Sequence, residues 1–221
     1  MVRGGVCGRR FAAGVVAVLV AGLGVVACSD PGGGAAASAT PSVAASASAT
    51  VEASASASAP GEVTAESLSD EELGYIVTSI PDDLTPAQEE ALVAFAAFDR
   101  FTWSVWFSPA QPGVRIAGAE EYITEDAVPT LQGSYDALDP GEYLTGPVRV
   151  AVLSVDVQDV YMPATANVVT CMDRAEVRAY DSSGQDITRD TTQGRFEYQT
   201  YLSTIEGTWK ATGDERLSTN E

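Results

Sequence analysis

The 221-residue sequence has no histidine and few positive charges of any kind. Without histidine, the chain lacks the residue that most often acts as a general acid or base at neutral pH, activates a nucleophile or binds a transition metal. Lys and Arg total 12 against 31 Asp and Glu, which gives a formal net charge of −19. Because nucleic-acid binding draws its affinity from clustered Lys and Arg, this balance argues against a nucleic-acid partner.

Motifs that bind common cofactors or present a catalytic nucleophile are also absent from the sequence. It contains no Walker loop, no glycine-rich dinucleotide turn and no nucleophile elbow. The segment Asp181-Ser-Ser-Gly184 places its glycine too early for an EF-hand calcium loop and predicts a turn instead. We therefore expect neither a cofactor nor a metal ion.

The N-terminus has the three parts of an export signal. Positive residues open it, an apolar run extends from Phe11 to about Gly24, and small residues lead into Val25-Val26-Ala27-Cys28. This tetrapeptide resembles the bacterial lipobox, in which the cysteine thiol accepts a diacylglyceryl group. The resemblance implies cleavage before Cys28, lipidation of Cys28 and anchoring on the outer face of the cell membrane.

Two questions about this segment stay open. The apolar stretch from Phe11 to Ala27 reaches the lower limit of the ~17 to 25 residues that span a bilayer, so a transmembrane anchor is the alternative to lipidation. The pair Arg9-Arg10 raises the twin-arginine export route, but Phe11 follows without the intervening residue of that motif. The sequence does not choose between this route and the general secretory route.

Composition divides the chain into three segments: a signal peptide at 1–27, the lipidated cysteine with a linker at 28–61, and a domain at 62–221. The linker is rich in Ala, Ser and Pro and has no apolar residue larger than valine. Such a stretch cannot bury enough surface to offset the cost of ordering, so we predict that it is disordered. The folded part of the domain is predicted at about 69–217.

The cysteines are predicted to leave Cys171 without a disulfide partner in the mature chain. Cys7 lies in the signal peptide, and Cys28 would carry the lipid. The simplest interpretation of Cys171 is a small buried apolar side chain, and the alternative is a thiol exposed to intermolecular pairing.

Helix signals open the domain. Ser69-Asp-Glu-Glu72 fits a capping box and predicts a short helix that ends before Pro81. After a longer helix, residues 109–113 predict a loop and residues 117–138 predict two further short helical segments.

The longer helix is predicted from about Pro86 to Phe107. Thr85 is its expected N-cap, Pro86 its first residue and Gln88 the third position. Its apolar residues cover most of the circumference, which indicates enclosure on more than one side: Leu92, Phe95, Phe98, Phe101, Trp103, Trp106 and Phe107.

The apolar period changes to two in the second half of the domain. Strands are predicted at 148–157 with a bulge at Leu153, at 166–180 with a bend, at 193–205 and at 209–216, with turns at 181–184 and 206–207. Helices followed by an antiparallel meander predict an α+β fold, with N-terminal helices packed in a curved antiparallel sheet.

This order of elements, with the segment Asn167–Asp173 and the closing hairpin Glu206–Lys210, resembles the nuclear transport factor 2-like superfamily. Within it, the chain is similar to lipid-anchored members from high-GC Gram-positive (actinobacterial) bacteria. The resemblance covers about 69–217. It implies a cone-like fold with a cavity between the long helix and the sheet, and homodimers formed through the outer sheet face.

The resemblance also suggests candidate catalytic residues. Ketosteroid isomerase in this superfamily combines an Asp base with a Tyr and a neutral carboxylic acid as donors and needs no histidine. Asp99, Asp173 and Tyr198 or Tyr201 are the residues that we place near such a cavity. Structural roles compete with this assignment, because Asp173 suits a turn or sheet edge and Asp99 is expected at the solvent edge beside Arg100.

Two functions follow from these expectations. The first is a non-catalytic binding or assembly domain, anchored through Cys28, that engages a cell-envelope protein or a small apolar ligand. Trp103, Trp106 and Tyr198 would then line the pocket, although core packing is the competing role for such aromatic residues. The alternative is a cofactor-free lyase or isomerase that uses Asp and Tyr, and the superfamily's fold does not choose between the two.

Overall fold

The structure is a computed structural model and describes residues 62–160 and 162–220. The predicted signal peptide, the lipidation site at Cys28 and the linker lie outside the described residues. Within those residues, the helices are α1 Ala65–Leu68, α2 Pro86–Trp106, α3 Ala119–Tyr122 and α4 Val128–Asp136. The strands are β1 Tyr75–Ser79, β2 Tyr143–Thr145, β3 Val148–Gln158, β4 Thr165–Asp173, β5 Arg178–Tyr180, β6 Arg195–Ile205 and β7 Thr208–Asn220.

These elements confirm the α+β class and extend slightly beyond the predicted 69–217. The loop after α2 and the two short helices α3 and α4 lie where the sequence predicts them. Pro129 falls in the first turn of α4, where its missing N–H costs no helical hydrogen bond.

The long helix α2 begins as its capping signals predict. The Thr85 hydroxyl accepts a hydrogen bond from the backbone N of Gln88, and the Gln88 side chain accepts one from the backbone N of Thr85 at 2.9 Å. Pro86 occupies the first turn. This reciprocal cap satisfies two backbone donors that the helix would otherwise leave unpaired.

The short helix predicted to begin at Ser69 is wrong. Helix α1 lies earlier, with Thr64 as its N-cap, and Ser69 is the residue that follows its end. Asp70 then accepts a hydrogen bond from a backbone N–H three residues ahead, so the acidic run forms a turn. The next apolar residues form β1, in which buried Tyr75 and Val77 alternate with a less buried residue. The alternation of apolar residues therefore described this segment correctly, and the capping-box pattern did not.

Five strands form one mixed sheet in the order β1-β3-β4-β6-β7. Strands β3, β4, β6 and β7 make the predicted antiparallel meander, whereas β1 adds a parallel edge that the sequence analysis did not predict. The ladder between β3 and β4 shifts register between Val152 and Ser154, which confirms the predicted bulge. The turn Glu206-Gly207 has φ of +52° and +81°, as a tight hairpin between β6 and β7 requires.

The bent strand predicted at 166–180 is instead two strands in different sheets. Strand β4 ends at Asp173, and β5 pairs with β2 in a separate two-stranded sheet. Between them, Asp173 Oδ1 accepts a hydrogen bond from the backbone N of Ala175, and the Val177 N–H donates to the Arg174 carbonyl. These local bonds turn the chain where the alternating pattern alone suggested a continuous strand.

The described residues form two groups of buried side chains, and α2 contributes to both. The first joins α2 to the inner face of the large sheet through residues such as Leu92, Phe95, Val150 and Val168. The second joins α2 to α3, α4 and β7 and includes Phe98, Ile123, Tyr135 and Ala211. Enclosure of α2 on more than one side is therefore confirmed.

Cys171 is buried in β4, as expected, and it is disulfide-bonded in the full-length chain. The absence of a disulfide partner was predicted for the mature chain, after cleavage and lipidation, and stays a prediction.

Candidate functional site

A cavity of about 260 Å³ lies between α2 and the strands of the large sheet. Its walls combine seven aromatic or apolar residues with six polar or charged ones: Phe95, Phe98, Asp99, Thr102, Trp103, Trp106, Leu144, Thr170, Met172, Arg174, Tyr198, Thr200 and Asp214. An apolar concave surface with a small number of polar groups is the usual composition of a small-molecule site.

Helical spacing places one wall of the cavity. Residues four positions apart lie above one another on a helix, so Phe95, Asp99 and Trp103 form one row on α2. A neighbouring row three residues along consists of Phe98, Thr102 and Trp106. A single carboxyl group is thus set among aromatic rings.

Strand pairing places the opposite wall. Thr170 of β4 and Tyr198 of β6 are register partners, as are Thr200 of β6 and Asp214 of β7. Met172 joins this wall because alternate residues of a strand point to the same face of the sheet. Asp214 is exposed although it lines the cavity, so it lies at the opening.

Asp99 is the buried ionisable group of the cavity, with 8 % of its surface exposed. Tyr75 of β1 is fully buried, and its hydroxyl donates a hydrogen bond to Asp99 Oδ2 at 2.9 Å. Burial raises the pKa of Asp99 from 3.8 to about 7; the Tyr75 hydrogen bond lowers it, and the charge of Asp214 raises it further. A carboxyl group with this pKa changes charge near neutral pH and can accept or donate a proton there.

Arg174 carries the positive charge of the cavity. Its guanidinium carbon lies 3.9 Å from the centre of the Phe196 ring, within the range of a cation–π contact. Its Nε atom is buried and has no hydrogen-bond partner among the described residues. Burial lowers the pKa of Arg174, while the nearby Tyr198 and Asp99 raise it. The side chain therefore brings an unused donor to the cavity.

The structure brings together four of the predicted site residues. Asp99, Trp103, Trp106 and Tyr198 line the same cavity. Their role in binding or catalysis stays a prediction, since lining a cavity does not by itself define a function.

Two other candidates lie away from the cavity. Asp173 Oδ2 accepts a hydrogen bond from Arg195 Nε at 2.9 Å, and this salt bridge joins the register partners at the end of the β4–β6 ladder. The Tyr201 hydroxyl donates to Glu215 Oε1 at 2.6 Å, outside the cavity. Both side chains are used in local structure.

The expectation that Asp99 lies at the solvent edge is wrong. It relied on the adjacent Arg100, but consecutive residues on a helix point about 100° apart and do not share a face. Arg100 Nε donates a hydrogen bond to the carbonyl of Ala96 at 3.3 Å, whereas the buried Asp99 side chain accepts one from the Tyr75 hydroxyl.

Three polar residues of this region were missed by the sequence analysis. Tyr75 was assigned to a helix, although its alternation with Val77 was the signal for a strand. Arg174 and Asp214 reach the cavity through the end of β4 and through the pairing of β7 with β6. These residues are far apart in the sequence and become neighbours only through the pairing of the strands, so the sequence pattern did not identify them.

No family model matches the chain, and no curated protein matches it in sequence. The part of the chain described here has no group of three or more His, Cys, Asp or Glu residues placed to hold a metal ion. Among the described helices, none is long and apolar enough to cross a membrane.

Proposed function

We propose that this protein is anchored through a lipid on Cys28 to the outer face of the cell membrane and that its domain binds a small, largely apolar ligand. The cavity beside α2 carries the ligand-binding part of the proposal. Its volume of about 260 Å³ is slightly below the ~300 to 1,000 Å³ of common ligand pockets, so it suits a ligand of about one ring. Trp103 and Trp106 would pack against that ring, and Asp99 would meet a polar group.

The fold-family resemblance belongs to the same proposal. A long helix packed on a sheet, with a cavity between them, is the arrangement that the nuclear transport factor 2-like resemblance implies. The described chain has this arrangement in α2 and the five-stranded sheet, although β1 makes that sheet mixed. These features support the resemblance without choosing a function within the superfamily.

Native mass spectrometry of the purified protein tests ligand binding. We expect a small-molecule adduct that is lost on denaturation. Thr102→Leu adds bulk at the cavity wall and should abolish the adduct, whereas Thr130→Leu, at an exposed position on α4, should retain it. Wild-type protein that carries no adduct and shows no ligand-induced rise in melting temperature with a library of single-ring compounds would count against the proposal.

The anchor is tested by Cys28→Ala. Without the thiol no lipid can be attached, so the protein should move from the membrane to the soluble fraction while remaining folded. Retention in the membrane would favour a transmembrane anchor formed by residues 11–27. The intact mass of the extracted wild-type protein gives a second measurement, since processing removes Cys7 and lipidation occupies Cys28; an unprocessed mass would contradict the lipoprotein assignment.

One observation favours the alternative of a cofactor-free lyase or isomerase. Asp99 is a buried carboxyl group at a cavity wall with a pKa of about 7, which suits a general base at neutral pH. Asp99→Asn should then abolish turnover while the melting temperature is maintained or increased. A screen of ring ketones and hydroxylated aromatic compounds that detects no turnover would reject this activity for those substrates.

A further inference from the structure

Arg174 has a buried donor that no acceptor satisfies among the described residues. Those residues include eight arginines, and three of them form a salt bridge there: Arg115, Arg149 and Arg195. Arg174 forms none there; its Nη2 makes only a long contact, 3.4 Å, to the Thr191 carbonyl, and its buried Nε makes no hydrogen bond to a described residue.

A second arginine lies at the same aromatic ring. The guanidinium carbon of Arg216 is 5.6 Å from the centre of the Phe196 ring, and its charge is close enough to lower the pKa of Arg174. Arg216 also has no salt bridge to a carboxylate among residues 62–160 and 162–220. Two guanidinium groups of like charge thus lie near one ring, and neither forms a salt bridge to a described carboxylate. The buried Nε of Arg174, which has no acceptor among the described residues, favours a bound anion that accepts its hydrogen bond.

We infer that the cavity takes a small aromatic carboxylate, with the carboxylate on the guanidinium of Arg174 and the ring between the tryptophans of α2. The inference rests on the proposed ligand-binding function and names the chemical class of the ligand. A planar carboxylate matches the fork of a guanidinium and supplies the acceptor that Nε lacks. The apolar wall of Trp103 and Trp106 provides the surface for the ring.

The acidic residues of the cavity select a monoanion over a phosphate. Asp99 and Asp214 line the same cavity, and a dianion would be repelled by both. A carboxylate carries one charge, and it can accept a hydrogen bond from a neighbouring carboxyl group that is protonated. A cationic ligand could instead bind to these two acidic groups and the aromatic walls. The positive charge of Arg174 opposes a cation, so this residue decides whether the cavity prefers an anion or a cation.

Three ring compounds that differ only in charge distinguish these cases. We propose to titrate the purified full chain with benzoate, benzamide and benzylamine and to follow tryptophan fluorescence, because Trp103 and Trp106 line the cavity. Benzoate should bind at least about tenfold more tightly than benzamide, and benzylamine should bind most weakly.

Arg174→Gln should weaken benzoate binding by at least about tenfold and leave benzamide binding little changed. Arg149→Gln, which removes a half-buried arginine paired with Glu176 outside the cavity, should leave the binding of all three probes unchanged.

Several results would overturn the inference. Equal binding of benzoate and benzamide, tighter binding of benzylamine, or unchanged benzoate binding by a folded Arg174→Gln variant would each do so while leaving the small-ligand function intact. No saturable response to any probe at about 10 mM, which would fill most of a millimolar site, would count against both the inference and the proposed function. If Arg174→Gln does not fold, Arg174→Lys replaces it: the charge is kept but the fork is lost, and the preference for benzoate over benzamide should shrink several-fold.

Discussion

Replacing the buried carboxyl group in Asp99→Asn should stabilise the protein at high pH. Asparagine has nearly the same shape as aspartate and keeps an oxygen that can accept the Tyr75 hydrogen bond. It removes the charge whose burial raises the pKa of Asp99 from 3.8 to about 7. The gain should therefore depend on pH in a way that a change in packing would not.

The sign and size follow from linkage between proton binding and folding. The native state holds the Asp99 proton at pH values where the unfolded chain has released it, so the stability contributed by this group is complete below about pH 4 and is lost as pH rises to about 7. Three pKa units at about 1.4 kcal/mol each give a loss of about 4 kcal/mol. Asp99→Asn does not titrate and should escape that loss.

Urea unfolding of wild type and variant at about pH 4 and pH 8 measures the difference, and other titrating groups cancel in the comparison. Asp190→Asn, at an exposed position in the loop before β6, controls for the general loss of one negative charge. Asp99→Asn should be more stable than wild type by several kcal/mol at pH 8, with little or no gain at pH 4. The same difference at both pH values would refute the reasoning, because Asp99 would then have an ordinary pKa in the folded protein.

Two further substitutions test contacts near the site. Tyr75→Phe removes the hydroxyl that stabilises the Asp99 carboxylate, so the free energy of unfolding should fall by about 1 to 3 kcal/mol at pH 8 and by less at pH 4, as urea unfolding would measure; equal losses would contradict this role. Gly146→Ala would place a Cβ 2.5 Å from the Glu176 carbonyl oxygen at a φ of +101°, and we expect a loss of about 3 kcal/mol or more. Gly184→Ala, with φ of +81° and no atom within 4 Å of the new Cβ, should cost only about 1 kcal/mol in the same assay, and a similar loss in both variants would show that the close contact is unimportant.

Local signals predicted the fold best where a single interaction decides the structure. The Thr85 cap and Pro86 set the start of α2, and the interrupted valine pattern at Leu153 marked the bulge in β3. Prediction failed where two local signals competed. Ser69-Asp-Glu-Glu72 fits a capping box, but the apolar residues after it gain more by joining β3 as a parallel strand than by forming an isolated short helix.

Part of the candidate site was also predictable, because one of its walls depends on local spacing along a helix. Aromatic residues at helical spacing identify the wall made by α2, so Trp103 and Trp106 could be named from sequence, whereas Asp99 was named only through the superfamily resemblance. Tyr75 and Arg174 could not, because their approach to the cavity depends on the parallel pairing of β1 and on the turn after β4. Burial of Asp99 is likewise a tertiary property that a neighbour in sequence does not report.

The charges that face one another across the cavity predict how ligand binding depends on pH. Asp99 is approached by Tyr75 from β1, by Asp214 from β7 and by Arg174 after β4. An anion on Arg174 adds a like charge near Asp99 and so favours its protonated form. If the anion binds only the protonated form, the dissociation constant for benzoate should be flat below about pH 7 and rise by up to about tenfold per pH unit above it. Titrations from about pH 5 to pH 9 measure this slope, and Asp99→Asn should abolish it; a slope that persists in the variant would assign the titration to another group, such as Asp214.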